Sequence, residues 1–361
     1  MSTAPSVRAD WPLPRGLIIL LGGGSAVLLV AGLQSAAGIF APAFLALVLT
    51  IAVHPVRPYL ERHHWPGWAI ILAGITLTYL ILLGLTAALL VAMARFGTLL
   101  TQYQEQFDDL VQSAATTLKG FGIGQDQLDS MASSFDASRL VSAVSGVLAD
   151  LAGALSNLFF VLTLLLFLGL DAARFPAKLD VQRPFRWAVV TALESFAHGT
   201  RTYLVVSTVF GFIVAVVDTA FLAFTPIPAP LLWGLLAFIT NYIPNIGFVI
   251  GVIPPAILGL VEGGPALMLL VIAVYSVFNF VIQSVIQPKF VGDAVGLSVS
   301  ITFVSLVFWA WVLGPLGALL AVPLSLLVKA LLVDVDRDSI WLSTLLSGEP
   351  LPPAPAAEGA E

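Results

Sequence analysis

An all-α polytopic membrane protein is the fold class this sequence predicts, with about eight transmembrane or re-entrant segments. Three observations predict it. The 361 residues are 59% hydrophobic and only 10% charged, with a mean hydropathy of +1.01; soluble domains carry about 25% charged residues. The apolar runs are long and uniform, unlike the short alternating segments of a transmembrane barrel. Two of the runs are interrupted by glycine and proline. A helix broken in hydrocarbon leaves costly backbone groups unless protein or cavity water satisfies them, so such breaks are expected where something binds or passes.

Residues 1–16, polar and proline-containing, predict a flexible cytoplasmic N-terminus. Apolar segments at 17–33, 36–53 and 68–93 form an N-terminal membrane region over 17–93. Arg15 and the apolar run ending near Ala36-Ala37 also fit a cleaved signal peptide. The second apolar run follows at once, however, and favours a membrane hairpin.

Over 94–148, Leu99, Tyr103, Phe107, Leu110 and Ala114 recur at helical spacing, as do Leu128, Met131, Phe135, Val141, Val144 and Leu148. Lys119-Gly120-Phe121-Gly122-Ile123-Gly124 supplies a turn between them. This predicts a small external hairpin of two amphipathic helices. The main membrane transport region, 149–346, holds segments at 149–170, 202–224, 231–261, 264–287 and 298–333. Residues 347–361, rich in Pro, Ala and Glu, predict a disordered C-terminal tail.

Charge sets the orientation. Arg8, Arg15, Arg57, Arg62, Arg174, Lys178, Arg183, Arg186 and Arg201 fall in connections that share one side, which the positive-inside rule makes cytoplasmic. The 95–148 connection sets Arg95, Lys119 and Arg139 against Glu105, Asp108, Asp109, Asp126, Asp129 and Asp136, and lies outside. Both termini are then cytoplasmic.

Two segments fail a length test. As straight helices, 231–261 would measure about 46 Å and 298–333 about 54 Å, against a hydrocarbon core of about 30 Å. They carry the breaks: Pro244 and Gly247 running on to Gly251, Pro254 and Pro255 in the first, and Gly314, Pro315, Gly317 and Pro323 in the second. Each segment is either a kinked crossing or a re-entrant hairpin.

Candidate pathway residues cluster near the first break. Asp218 is an ionisable residue well inside an apolar segment, which marks it as a functional candidate able to carry a proton; the plainer reading is a hydrogen-bonded residue that fixes helix packing. Asn279, Gln283 and Gln287 recur every four residues on one helix face. Uncharged amides there suit a neutral, hydroxyl-rich solute, or else bridge helices. Asn241 and Asn245 flank Pro244, and carbonyls freed near Thr240 and Asn241 are candidate ligands for a solute or ion. Gly247 and Gly251 form a GxxxG pair that permits close helix approach. Glu262, in Glu262-Gly263-Gly264, reads as an interfacial turn, and His63-His64 beside Trp65 as a membrane-edge anchor.

The chain has no cysteine, which excludes disulfides and thiol chemistry. It contains no Walker A loop, HExxH, GxSxG or dinucleotide fingerprint. No enzyme activity, cofactor, metal or nucleic-acid partner is expected. The expected partners are the lipid bilayer, a small polar solute, and protons or sodium ions.

Several motifs carry a family resemblance. Ile243-Pro244-Asn245-Ile246-Gly247 followed by Ile253-Pro254-Pro255, Ile286-Gln287-Pro288-Lys289-Phe290-Val291-Gly292, and the tryptophan-rich run from Phe308 through Gly314-Pro315-Leu316-Gly317 to Pro323 resemble the signature blocks of the AI-2E family of bacterial membrane proteins. Arg201-Thr202-Tyr203-Leu204 and His54-Pro55-Val56 also fit. One departure is Leu297-Ser298-Val299-Ser300, which lacks a proline that relatives often carry. The resemblance implies an oligomeric transporter of the bacterial inner membrane, exporting the autoinducer-2 quorum signal or a related solute. Some relatives are described as sodium/proton antiporters, which is the alternative reading. A third reading is a non-transporting membrane scaffold acting through the external hairpin.

Overall fold

The computed structural model describes residues 14–103, 105–106, 142, 146, 158–244, 246–287 and 297–336. The expected external hairpin lies almost wholly outside the described residues, as do nearly all of the N-terminal segment and the whole C-terminal tail. Every regular element among the described residues is helical.

The N-terminal region comprises α1 (Arg15–Ser35), α2 (Ala37–Val53), the short α3 (Val56–Arg62) and α4 (Gly67–Gln102). α4 continues well past the apolar run that ends at residue 93. Next come α5 (Leu158–Ala172), α6 (Phe175–Gln182), bent by 52° from α5, and the long α7 (Trp187–Ala223). α7 begins 15 residues before the predicted start at 202, adding an extension that carries Glu194, His198 and Arg201 to an apolar shaft. The chain then forms α8 (Pro230–Thr240), α9 (Gly247–Asn279) with a π-helical continuation (Phe280–Ile286), α10 (Val299–Leu319), and α11 (Ala321–Lys329) with a π-helical end (Ala330–Asp334).

Among the described residues, five helices are long and apolar enough to cross a membrane, or six if α5 and α6 count as one bent span. The chain is a multi-pass helical membrane protein.

Both over-long segments fold back on themselves. α8 has 11 residues, about 16 Å, roughly half a hydrocarbon core. The chain then reverses through 241–246, so that a β-carbon on Gly251 would lie 3.5 Å from Ala237 Cα. A second reversal lies inside α9 at Gly264, where φ is +72°. A β-carbon on Gly259 would lie 3.5 Å from Met268 Cα, although nine residues of straight helix span about 13 Å. In α10 the same device recurs at Gly314, with φ +70°, and Trp309 Nε1 donates to Ser325 Oγ at 3.0 Å across the turn. At both sites glycine takes the left-handed conformation that other residues resist. Proline follows at once (Pro265, Pro315), where a new helix begins and its missing N–H costs nothing.

Several residues predicted to break helices do not. Pro254 and Pro255 sit inside regular helix, as does Gly251. The arm that holds them packs against α8, with Gly251 on Ala237 and Thr240, and packing of this kind sustains a proline-bearing helix. Gly317 lies past the break, where any β-carbon would strike the Trp309 carbonyl. Pro323 occupies the first turn of α11, where proline is tolerated.

Two apolar clusters hold the assembly. One joins Phe44 of α2, Phe196 and Tyr203 of α7, and Trp309, Leu320 and Leu324 of the C-terminal hairpin. The other joins Phe96 of α4, Leu222 of α7, Trp233 of α8, and Val252 and Val271 from the two arms of α9. Phe96 meets Trp233 edge-to-face at 5.4 Å, and Trp233 Nε1 donates to the Pro228 carbonyl at 2.8 Å. Ile243 of the first break packs against the first cluster, and Phe248 just after the break packs against the second.

Candidate functional site

The break at 241–246 is anchored to α7 by three polar contacts. Tyr203 Oη donates to the Tyr242 carbonyl at 2.7 Å. The hydroxyls of Thr208 and Tyr242 meet at 2.6 Å. Asn241 Nδ2 donates to the Ser207 carbonyl at 3.0 Å, and the absence of a side chain at Gly211 makes room for it, since a β-carbon there would lie 2.7 Å from Asn241 Nδ2. Backbone groups that a broken helix would strand in an apolar interior thereby find partners. The Thr240 carbonyl, expected to be free, accepts from Ile243 N at 2.8 Å. Gly247 is pressed so closely against that carbonyl that any β-carbon would overlap it.

A chain of amides crosses from the break to the second arm of α9. Gln283 Nε2 donates to Asn241 Oδ1 at 2.9 Å and to Asn279 Oδ1 at 2.8 Å. Asn279 Nδ2 in turn donates to the Tyr275 carbonyl at 3.0 Å. Gln283 belongs to the π-helical segment, a local widening that often marks functional sites. Of the stripe read from the sequence, Gln283 bridges to the helix break through Asn241, which is the helix-bridging role weighed there.

Beside this chain lies a small cavity enclosed by Val214 and Asp218 of α7, Ala237 and Thr240 of α8, Asn241 of the break, Phe248 and Gly251 of the first arm, and Tyr275 and Asn279 of the second. It has space for about one water molecule. Asp218 is completely buried, and neither carboxylate oxygen has a hydrogen-bond partner among the described residues. The buried Tyr275 hydroxyl likewise has none. Thr240 Oγ1 is turned to the Ala237 carbonyl at 3.3 Å. The helix pair that carries the cavity is closely fitted: at Gly234 a β-carbon would overlap the Thr219 hydroxyl and lie 2.8 Å from the Ala215 carbonyl.

Asp218, Asn241, Asn279 and Gly251 thus meet around one cavity, with Gln283 tied to two of them. Pro244 and Gly247 bound the break nearby. Gln287 stands one turn beyond Gln283 and outside the cavity wall, and Asn245 lies outside the described residues. Gly314, Pro315, Gly317 and Pro323 belong to the C-terminal hairpin, away from this cavity. Sequence reasoning missed Tyr275, although it continues the Asn279–Gln283–Gln287 stripe by one turn in the N-terminal direction. It also missed Ser207, Thr208 and the anchoring roles of Tyr203 and Tyr242. Glu262, taken for a simple turn residue, accepts a hydrogen bond from Tyr103 Oη at the end of α4.

Residues 19–336 match the family described as AI-2E family transporter. The chain is 33% identical over 319 residues to the AI-2 transport protein TqsA of Escherichia coli K12, covering 87% of this chain and 91% of that protein. It is 26% identical over 340 residues to YhhT of the same organism, a transport protein by provisional name, covering 94% of each chain. A Haemophilus influenzae protein, also provisionally named for transport, is 28% identical over 320 residues, covering 86% of this chain and 90% of its own length.

Proposed function

The chain belongs to the AI-2E family of transporters, and from this premise we propose that it is a secondary exporter of a small polar solute, with the autoinducer-2 quorum signal as its substrate. The observation that carries the reading is the 33% identity to an AI-2 transport protein over 87% of the chain. The chemistry near the first break supports it. Asn241, Asn279 and Gln283 present uncharged donors and acceptors beside interrupted helices, and interrupted helices are where transporters place their substrate sites. Autoinducer-2 is polyhydroxylated and uncharged until it binds borate, so amides recognise it without the desolvation cost of a buried charge.

The cavity holds about one water molecule, so a solute of this size is admitted only when the arms of α9 move relative to α7. Export therefore proceeds through an opened state of the same elements. The same proposal includes a bacterial inner-membrane location, a homo-oligomeric state and both termini cytoplasmic; the distribution of Lys and Arg supports the orientation, and the family resemblance supports the rest.

The test is flux of autoinducer-2 from loaded vesicles containing the purified protein, alongside intracellular accumulation of the signal when the gene is deleted. Release above that of protein-free vesicles supports the reading. Release equal to protein-free vesicles, with folded protein present, overturns it.

A further inference from the structure

We propose that Asp218 is the site at which one small cation, a proton in this conformation, is bound and released as the solute is exported. The inference rests on the transporter reading above and adds a coupling site to it.

The polar groups around the cavity divide into two sets. The amides are satisfied: Asn241 donates to Ser207 and accepts from Gln283, while Asn279 donates to Tyr275 and accepts from Gln283. The acid set is not. Both oxygens of Asp218 and the hydroxyl of Tyr275 are buried without a partner among the described residues. Asp218 is fully enclosed and lines the cavity. An unpaired carboxylate in an apolar interior is so costly that the group is neutralised by taking up a cation. Space for about one water molecule admits a proton, or a single small ion with little else.

Among the described residues, no fixed positive charge competes for this role: the cavity wall they form contains no Lys, Arg or His, and Tyr275 is its other titratable group. α8 carries no titratable side chain. On α9, Glu262 is engaged by Tyr103. On the C-terminal elements packed against α7, Lys329 is paired with Asp334 at 2.9 Å. The remaining charged groups of α7, Glu194, His198 and Arg201, lie several turns away toward its N-terminal end. From α4, Arg95 is exposed.

The placement supplies the coupling. Asp218 stands on α7, Gly251 on the first arm of α9, and Tyr275 and Asn279 on the second. Displacing the arms opens the cavity to water, which stabilises the charged carboxylate, whereas the closed packing favours the neutral form. Binding and release of one cation thus bias the two states in opposite directions, as a coupling ion must.

The experiment is difference infrared spectroscopy of the full-length protein in lipid, wild type against Asp218→Asn and Asp218→Glu, at neutral pH in sodium-free buffer and then with sodium chloride added. The expected result is a carbonyl-stretch band of a protonated carboxylic acid that is wholly lost in Asp218→Asn and displaced in Asp218→Glu. Should Asp218→Asn fail to fold, the displaced band of Asp218→Glu, or a perturbed band in Tyr275→Phe, identifies the carboxyl. A band untouched by sodium assigns the proton as the exchanging cation, and a band abolished by sodium at constant pH assigns proton-for-sodium exchange at the same site. If no carboxylic-acid band responds to any of these substitutions, the proposal is overturned. Autoinducer-2 flux measured on the same wild-type sample separates the two readings: flux without the band removes the cation site alone, and the band without flux removes the substrate assignment alone.

Discussion

The side-chain amide of Gln283 donates to Asn241 Oδ1 at 2.9 Å, joining the returning arm of α9 to the helix break 42 positions earlier. The same nitrogen also donates to Asn279 Oδ1. One residue therefore holds the break, the second arm and, through Asn241, the backbone of α7 in fixed relation.

Replacing Gln283 by Leu should loosen this link. Side-chain hydrogen bonds between membrane helices average about 0.6 kcal/mol each, and Asn241 Oδ1 and Asn279 Oδ1 would both lose a donor. A loss of about 1–2 kcal/mol is expected, lowering the thermal midpoint in detergent by a few degrees. A midpoint equal to wild type would show that the amide chain contributes no stability.

Gly247→Ala and Gly251→Ala should differ sharply. At Gly247 the added β-carbon meets the backbone carbonyl of Thr240, which has no freedom to move aside. At Gly251 it meets the Thr240 hydroxyl at 3.1 Å, and a small side-chain shift relieves the contact. Overpacking costs about 1–3 kcal/mol, and Gly247→Ala should fall at or above the top of that range. Yields of monodisperse protein and thermal midpoints test the order, and equal effects would contradict it.

The Tyr103–Glu262 pair predicts an alkaline dependence. The hydrogen bond to the Glu262 carboxylate, followed by burial, raises the Tyr103 phenol above its ordinary value. The folded protein then keeps this proton at a pH where the unfolded chain, titrating near about 10, has released it. The contribution to stability is complete below that value and is lost as pH rises through the raised one. Tyr103→Phe should flatten this part of the stability profile and remove one late-titrating phenol from the alkaline tyrosinate absorbance. Identical alkaline profiles for the two proteins would contradict the assignment.

Ser325→Ala should expose the cost of an unpaired indole. Trp309 is buried and donates to Ser325 Oγ across the C-terminal hairpin. Removing the acceptor leaves a buried N–H unsatisfied, at a cost of about 1–3 kcal/mol. A lowered thermal midpoint is expected, whereas Ser325→Thr, which keeps the hydroxyl, should stay close to wild type.

Much of this architecture is legible in the residues because the relevant signals are local or summed over long windows. Hydropathy averages over whole segments, so the membrane class is plain. Asp218, Asn279 and Gln283 stand out because each is polar among apolar neighbours. Gly314-Pro315 announces its turn because glycine permits a positive φ and proline starts the next helix. Pro254-Pro255 misled for the opposite reason: local propensity favours a break there, but packing of Gly251 on Ala237 sustains the helix. Tyr275 was hidden because its ring packs in an apolar cluster as an ordinary core residue would. The contacts of Tyr203 and Thr208 with Tyr242 were hidden because they join residues 39 and 34 positions apart, a distance over which periodicity carries no information.

The reversal at Gly264 acts as a phase reference for everything after it. Each helical residue advances the side chains by about 100°, so one residue inserted between Pro265 and Tyr275 would rotate the second arm by that angle. Its hydrophobicity would hardly change, yet Tyr275 and Asn279 would leave the cavity and Gln283 would leave its partner Asn241, while Asp218 stayed in place. Two inserted residues would turn the stripe away still further, and four would bring it almost back to its starting direction, one helical turn further along. Tolerance to insertion in this arm should therefore rise and fall with the helical period, a pattern set by where the chain turns and not by what the arm is made of.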